Sequence, residues 1–280
     1  MHTLQVIYII WYREILRYWR DRSRIVGSLA MPFFFLFIFG SGLSPAIGGM
    51  TGGLPVGQGE DVNFIKFMYP GVIGMTVLFT SIFSGISIVW DREFGFLKEM
   101  LVAPISRTTV ALGKTLGGST VAMIQGTLML IFAPLVGVEL SLGLVLRLWP
   151  LMFITAFALT SMGVLIAARM KSMQGFQMIM NFLTMPMFFL SGAFFPLRGL
   201  PGWMGFLVRI NPFTYAVDSL RQVVFQAAEL PQFVLDMLPQ LGMGVTIFDH
   251  NVTIFDDILI ILLFGAVMIS AAVWSFRLQD

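Results

Sequence analysis

The chain has 280 residues, of which 57% are hydrophobic and 11% charged, with a mean hydropathy of +0.87, whereas a soluble domain carries about 25% Asp, Glu, Lys and Arg. Its 17 basic and 15 acidic side chains give a formal net charge of +2; they are too few to coat a soluble globule and too balanced to indicate nucleic acid, while 28 Phe and 20 Met supply apolar surface for lipid. With no Cys, and His at positions 2 and 250 alone, disulfide frameworks, cysteine nucleophiles and a zinc centre built on such ligands are excluded, leaving a polytopic membrane protein.

At 100° per residue, Leu4, Tyr8, Trp11, Ile15 and Tyr18 fall on one face of the first 24 residues, and Arg13, Arg17, Arg20 and Arg24 on the opposite one. This predicts an amphipathic helix lying in the membrane interface. Its aromatic side sits at the acyl boundary, and its arginines turn to anionic headgroups or to a cytoplasmic partner; plain anchoring explains the pattern too. The segment is not a cleavable signal peptide, because its Arg residues follow an apolar stretch and no small-residue cleavage site comes after them.

Six runs of the length a helix needs to cross the bilayer follow, at 25–43, 68–90, 115–138, 148–168, 173–196 and 258–276, none containing Asp, Glu, Lys, Arg or His. With the N-terminus inside, the inner segments hold 12 of the 17 Lys and Arg and six of the 15 acidic residues, a net +6 inside against −4 outside. Both termini are therefore expected in the cytoplasm.

Thr76, Thr80, Ser84 and Ser87 form a hydroxyl stripe in the second span, expected to let helices approach closely. Between the second and third spans, Asp91 to Lys114 reads DREFGFLKEMLVAPISRTTVALGK, alternating charge with Phe94, Phe96, Leu97, Met100 and Leu101. A short helix of this kind can offer apolar knobs to a groove on another protein, while a basic loop that fixes topology is the plainer reading. Thr108–Thr115, TTVALGKT, lacks the first glycine of a phosphate-binding P-loop and precedes a span rather than following a strand, so the chain is expected to bind no nucleotide. Gly113 and Gly117 form a GxxxG that suggests helix contact.

In the fifth span Gln174, Gln177, Asn181 and Thr184 recur three, four and three apart on one helical side. They line a hydrated route between two protomers or pair with neighbouring helices; Met178, Met180, Met185 and Met187 with Phe182, Phe188 and Phe189 suit varied hydrophobic molecules or lipid. Segment 197–257, broken by Pro201, Pro212, Pro231 and Pro239, is expected outside as short helices on or dipping into the bilayer, with Asp218 and Arg221 as an exposed pair of no assigned role.

Two stretches carry a family resemblance over most of the chain. Glu93, Gly95, Leu97, Leu101, Pro104, Ser106, Arg107 and Gly113-Lys114 resemble the cytoplasmic loop of the ABC type-2 permeases. Phe195-Pro196, Leu200-Pro201, Trp203, Asn211-Pro-Phe-Thr-Tyr215 and Leu220-Arg221 resemble that family's external motif, in particular that of the daunorubicin-resistance and nodulation-factor exporter permeases. The resemblance implies one all-α transmembrane domain of six helices with the N-terminal interfacial helix and an external re-entrant region, in a bacterial inner membrane.

It further implies a homodimer or a pair with a paralogue, bound to separate ABC ATPase subunits that hold the ATP and Mg; no cofactor is expected on this chain. The 91–107 loop becomes a coupling helix, with Arg92, Glu93, Phe94, Leu97, Lys98 and Glu99 as ATPase contacts. The expected function is export of a drug-like molecule, a lipid or a lipid-linked saccharide. A channel or scaffold subunit is the rival reading; an ion-coupled transporter is disfavoured by spans free of ionisable groups.

Overall fold

The computed structural model describes residues 3–50, 64–94, 106–195, 197, 199–227, 244–247 and 250–277. Helices dominate them, as expected: α1 (Thr3–Arg20), α2 (Arg22–Met50), α3 (Phe64–Phe83), α4 (Ile86–Glu93), α5 (Arg107–Leu130), α6 (Leu142–Arg169), α7 (Met173–Phe189), α8 (Gly202–Ile210), α9 (Pro212–Ala227) and α10 (Ile254–Arg277). A 3-10 turn spans Ala133–Val136, and Thr246–Ile247 pairs antiparallel with His250–Asn251. Among the described residues, Ile65–Glu93, Leu142–Arg169 and Ile254–Phe276 are long and apolar enough to cross a membrane.

Local chemistry sets the helix ends. Ser106, Ser141 and Ser172 each accept a hydrogen bond from the backbone N–H three residues on, at 3.1–3.2 Å, so α5, α6 and α7 all start on a serine cap. α10 opens on a reciprocal cap in which Thr253 N donates to Asp256 Oδ2 at 3.0 Å and Asp256 N to Thr253 Oγ1 at 3.4 Å. Pro212 opens α9 where its missing N–H costs nothing, and the preceding Asn211 accepts from Phe213 N through its side chain.

The third helix departs from the sequence reading of 115–138. Ser106 starts α5 at Arg107, and Pro134 diverts the chain into the 3-10 turn after Leu130. Lys114 therefore stands inside a helix at 3% exposure, not at the edge of a loop. The second apolar run is interrupted at Ser84-Gly85, where Ser84 Oγ donates to Ser81 O at 2.6 Å. A Cβ on Gly85 would lie 2.6 Å from Gly163 O, so α6 passes there backbone to backbone.

Two apolar clusters fill the bundle. Met75, Leu78 and Ile82 of α3 pack with Leu159 of α6, Phe176 and Phe188 of α7 and Val217 of α9; Tyr69, Val72 and Ile73 pack with Met129 of α5, Leu148 and Leu151 of α6 and Leu220 and Val224 of α9. α9 thus contributes to both, and Phe213 through Arg221 are buried without interruption. It is a core helix set among α3, α6 and α10, in the segment for which the sequence suggested short helices on or dipping into the bilayer.

Candidate functional site

A charge cluster ties α1, α4 and α5 together. α1 lies along the start of α5 because two glycines leave room for it: a Cβ on Gly113 would come 2.8 Å from Ile10 Cβ, and one on Gly117 2.7 Å from Glu14 Cβ. That approach puts Glu14 beside Lys114. Lys114 Nζ donates to Glu14 Oε1 at 2.7 Å, to Asp91 Oδ2 at 2.6 Å and to Ser87 Oγ at 3.1 Å, spending all three ammonium protons. Arg13 Nη2 reaches Asp91 Oδ2 at 2.7 Å and Glu14 Oε1 at 3.5 Å, so two cations face two carboxylates.

Burial by itself would raise the Glu14 carboxyl, but the Lys114 ammonium and its hydrogen bond, helped by Arg13, hold it below its ordinary range. A buried pair is stable only with such close geometry and filled hydrogen-bonding capacity. Farther along α1, Trp11 Nε1 donates to Thr120 Oγ1 at 3.0 Å, and Arg17 lies 4.6 Å over the Trp90 ring.

The cluster includes Asp91, the first residue of the predicted coupling loop, and Lys114, seven residues past its end. Two more arginines flank the same stretch. Arg92 donates to Met170 O and Ala168 O at 2.5 and 2.6 Å, taking carbonyls at the α6 C-terminus, and Arg107 donates to Phe276 O in the last turn of α10 at 2.9 Å. Of the predicted ATPase contacts, Glu93 and Phe94 are exposed and Arg92 is partly buried on α6; Leu97, Lys98 and Glu99 lie outside the described residues. An open cavity of about 620 Å³ between α1 and α4 is lined by Arg13, Leu16, Arg17, Arg20, Asp21, Trp90, Asp91 and Phe94.

The interfacial pattern is only partly matched. Trp11 faces α5, and Tyr18 is 2% exposed, while Leu4 and Tyr8 from the same predicted face are open. The helix turns by about 100° per residue, so packing on the two α5 glycines takes a strip of this face and leaves the rest outside. Thr108–Thr115 is helical and Lys114 is committed to carboxylates, so this stretch does not form a phosphate cradle.

On α7, Gln174, Gln177 and Asn181 are exposed beside Met178 and Phe182, whereas Thr184 is fully buried with Phe176, Met180 and Phe188. The stripe follows the edge of the packed face rather than one open surface. In the second span Thr76 bonds to its own helix, Ser84 back to Ser81 O at the end of α3 and Thr80 to Gln125, while Ser87 joins the Lys114 cluster.

The external motif does structural work that the sequence reading missed. α7 ends just after Pro186, leaving carbonyls without intrahelical donors. Asn211 Nδ2 takes Met187 O at 2.7 Å, Thr214 Oγ1 takes Leu190 O at 3.3 Å and Arg221 Nη2 takes Gly192 O at 2.5 Å. Asp218 and Arg221, expected as an exposed pair, are each 2% exposed, and Asp257 of α10 is fully buried. This corrects the expectation that ionisable groups stay outside the packed helices. No cluster of three or more His, Cys, Asp or Glu suited to a metal occurs among the described residues.

Comparison with known proteins covers most of the chain. The profile of the family described as "ABC-2 type transporter" matches residues 5–225. The chain is 27% identical over 219 residues to nodulation protein J of Rhizobium meliloti, covering 77% of this chain and 79% of that one. It is 25% identical over 221 residues to the ycf38 protein of Cyanophora paradoxa, covering 78% and 73%. With the "Probable multidrug ABC transporter permease YbhR" of Escherichia coli it shares 29% identity over 174 residues, covering 61% and 46%.

Proposed function

We propose that this chain, which belongs to the ABC-2 type transporter family and is a membrane permease, exports a hydrophobic or amphipathic substrate by alternating access, driven by ATP hydrolysed on a separate subunit. The observation that carries the reading is the Lys114 cluster. A force applied to the segment between α4 and α5 meets Asp91 at one end and Lys114 at the other, and both are bonded into α1. Arg92 and Arg107 extend the connection to the ends of α6 and α10. The partner ATPase, carrying ATP and Mg, presses on this segment through Arg92, Glu93, Phe94, Leu97, Lys98 and Glu99; the α1–α5 unit then moves with it.

Two copies of the chain, or this chain and a paralogue, face each other in the bacterial inner membrane with both termini cytoplasmic. The outward amides Gln174, Gln177 and Asn181 support a path along α7, since amides facing lipid lack partners that a second protomer or a hydrated route supplies. Drug-like molecules lead as substrates, consistent with the methionines and phenylalanines beside those amides and with the multidrug label of YbhR; lipids and lipid-linked saccharides follow. The buried carboxylates on α9 and α10 remove the earlier objection to ion coupling, so ATP drive rests on the family and on the coupling segment.

The test is to purify the chain with its co-purifying ATPase and compare wild type with Glu93→Arg. Membrane insertion should be unchanged and substrate-stimulated ATPase activity reduced at least tenfold, about 1.4 kcal/mol of lost coupling. Wild-type coupling in that variant, or recovery of the chain with no ATPase, would reject the assignment.

A further inference from the structure

α9 and α10 meet through a pair of buried carboxylates that the export reading leaves unused. Asp218 on α9 is 2% exposed and Asp257 on α10 fully buried. Gln222 Nε2 lies 3.0 Å from Asp218 Oδ2 and 3.2 Å from Asp257 Oδ2, so one amide serves two carboxylates on different helices. The second oxygen of each, Oδ1, is buried without a hydrogen-bond partner.

Among the described residues, the charges around the pair do not balance. Arg221 brings one guanidinium, which donates to Gly192 O of the turn after α7 and lies 4.2 Å over the Phe67 ring of α3. Asp256 adds negative charge from α10 but is turned to Thr253 at the exposed helix start. Tyr215, about one turn before Asp218, donates its hydroxyl to Arg209 O. From α6 come leucines, Leu148 and Leu151, packed with Leu220 and Val224. Among the described residues, the Arg221 guanidinium thus stands by Asp218 and no cation is seen against Asp257, and each acid keeps an orphan acceptor. Protonating one acid removes a charge and turns an orphan acceptor into a donor.

We propose that Asp218 and Asp257 fold as a pair carrying a single proton, and that this proton locks α9 to α10. Release of the proton to solvent as pH rises leaves two negative charges across the helix contact and loosens it. The lock stands at the far end of α10 from the coupling segment: Asp257 is in its first turn, and Phe276, bonded to Arg107, lies about 30 Å along the helix.

Asn is nearly isosteric with a protonated Asp and keeps an acceptor for Gln222, so Asp257→Asn and Asp218→Asn separate charge from shape. The purified full chain in mild detergent is examined by infrared spectroscopy at neutral pH and by thermal unfolding from about pH 5 to pH 9. The wild type should show the carbonyl band of a buried protonated carboxylic acid, absent from both variants. Its unfolding midpoint should fall by several degrees as pH rises, and the fall should flatten in the variants. If one variant does not fold, the other and the wild-type spectrum decide the question. Absence of the band, parallel pH profiles, or stabilisation by added sodium without the band would overturn the proposal, the last by marking a cation site instead.

Discussion

Replacing Lys114 with Met keeps an unbranched apolar stem and removes the ammonium. Glu14 and Asp91 then remain buried, with side chains 11% and 9% exposed, and Ser87 loses its donor. Arg13 is still 2.7 Å from Asp91 and 3.5 Å from Glu14, but its side chain is 43% exposed, so solvent screens its attraction. Removing one partner of a buried pair costs about 3–5 kcal/mol. With Arg13 in partial compensation, the expected loss is about 3 kcal/mol, read by reversible denaturant unfolding of the purified chain in mild detergent. A loss under about 1 kcal/mol, the scale of a solvated pair, would show that water already serves the cluster and would refute the reasoning.

The same variant should reverse a pH dependence. In the wild type Glu14 is held below its ordinary value, so its contribution is present above the unfolded-state value of about 4.3 and is lost as pH falls through the lower folded one. Without Lys114, burial dominates and pushes the Glu14 carboxyl up. The variant is then penalised at neutral pH and recovers on acidification, so the stability gap to wild type should narrow between about pH 7 and pH 4. A gap that widens over that interval would refute the electrostatic account.

Gly117→Val places a branched side chain where a single Cβ already comes 2.7 Å from Glu14 Cβ, so α1 must shift off α5. The expected cost is about 1–3 kcal/mol in unfolding, with coupled ATPase activity reduced; a stability change within about 0.5 kcal/mol would mean that α1 is not seated there. Asn181→Leu removes an exposed amide from α7 and should change the substrate response of ATPase activity across several lipophilic compounds; an unchanged response would remove this side of α7 from the path.

The helical class was legible because long apolar runs leave few alternatives, and the Gly113/Gly117 contact was legible because small residues four apart mark a close approach. Other features depend on tertiary placement that periodicity does not carry. Lys114 looked like the end of a loop because charge usually marks a span boundary, yet Ser106 starts the helix eight residues before it. Asp218 and Arg221 looked exposed because prolines break their segment and because α9 is amphipathic, with both on its polar side; that side is buried as well, which only the packing of the neighbouring helices decides. Asp257 lies in the first turn of an apolar helix, where an acid is favoured by the helix dipole even when exposed, so sequence gave no reason to place it inside. The α7 stripe was sound as spacing, but three residues at about 100° each leave Thr184 about 60° around the helix from Asn181, enough to take it from the open side into the packed one.

A buried ion cluster contributes little net stability once desolvation is counted, which raises the question of what the Lys114 cluster supplies. Register is the answer the geometry favours. Sliding α1 by one residue rotates its side chains by about 100°, taking Glu14 away from Lys114 and Ile10 away from the Gly113 gap together. The cluster therefore admits one setting of α1 on α5, as a rigid transmission requires. The triple variant Glu14→Gln, Asp91→Asn, Lys114→Met distinguishes the two roles. With no buried charge left unpaired, Arg13 being 43% exposed and able to turn to water, it should regain most of the roughly 3 kcal/mol lost by Lys114→Met alone, yet its substrate-stimulated ATPase activity should stay low because α1 can occupy more than one register. Full coupling in the triple variant would mean that apolar packing on Gly113 and Gly117 sets the register unaided, and the charges would then have no part in transmission.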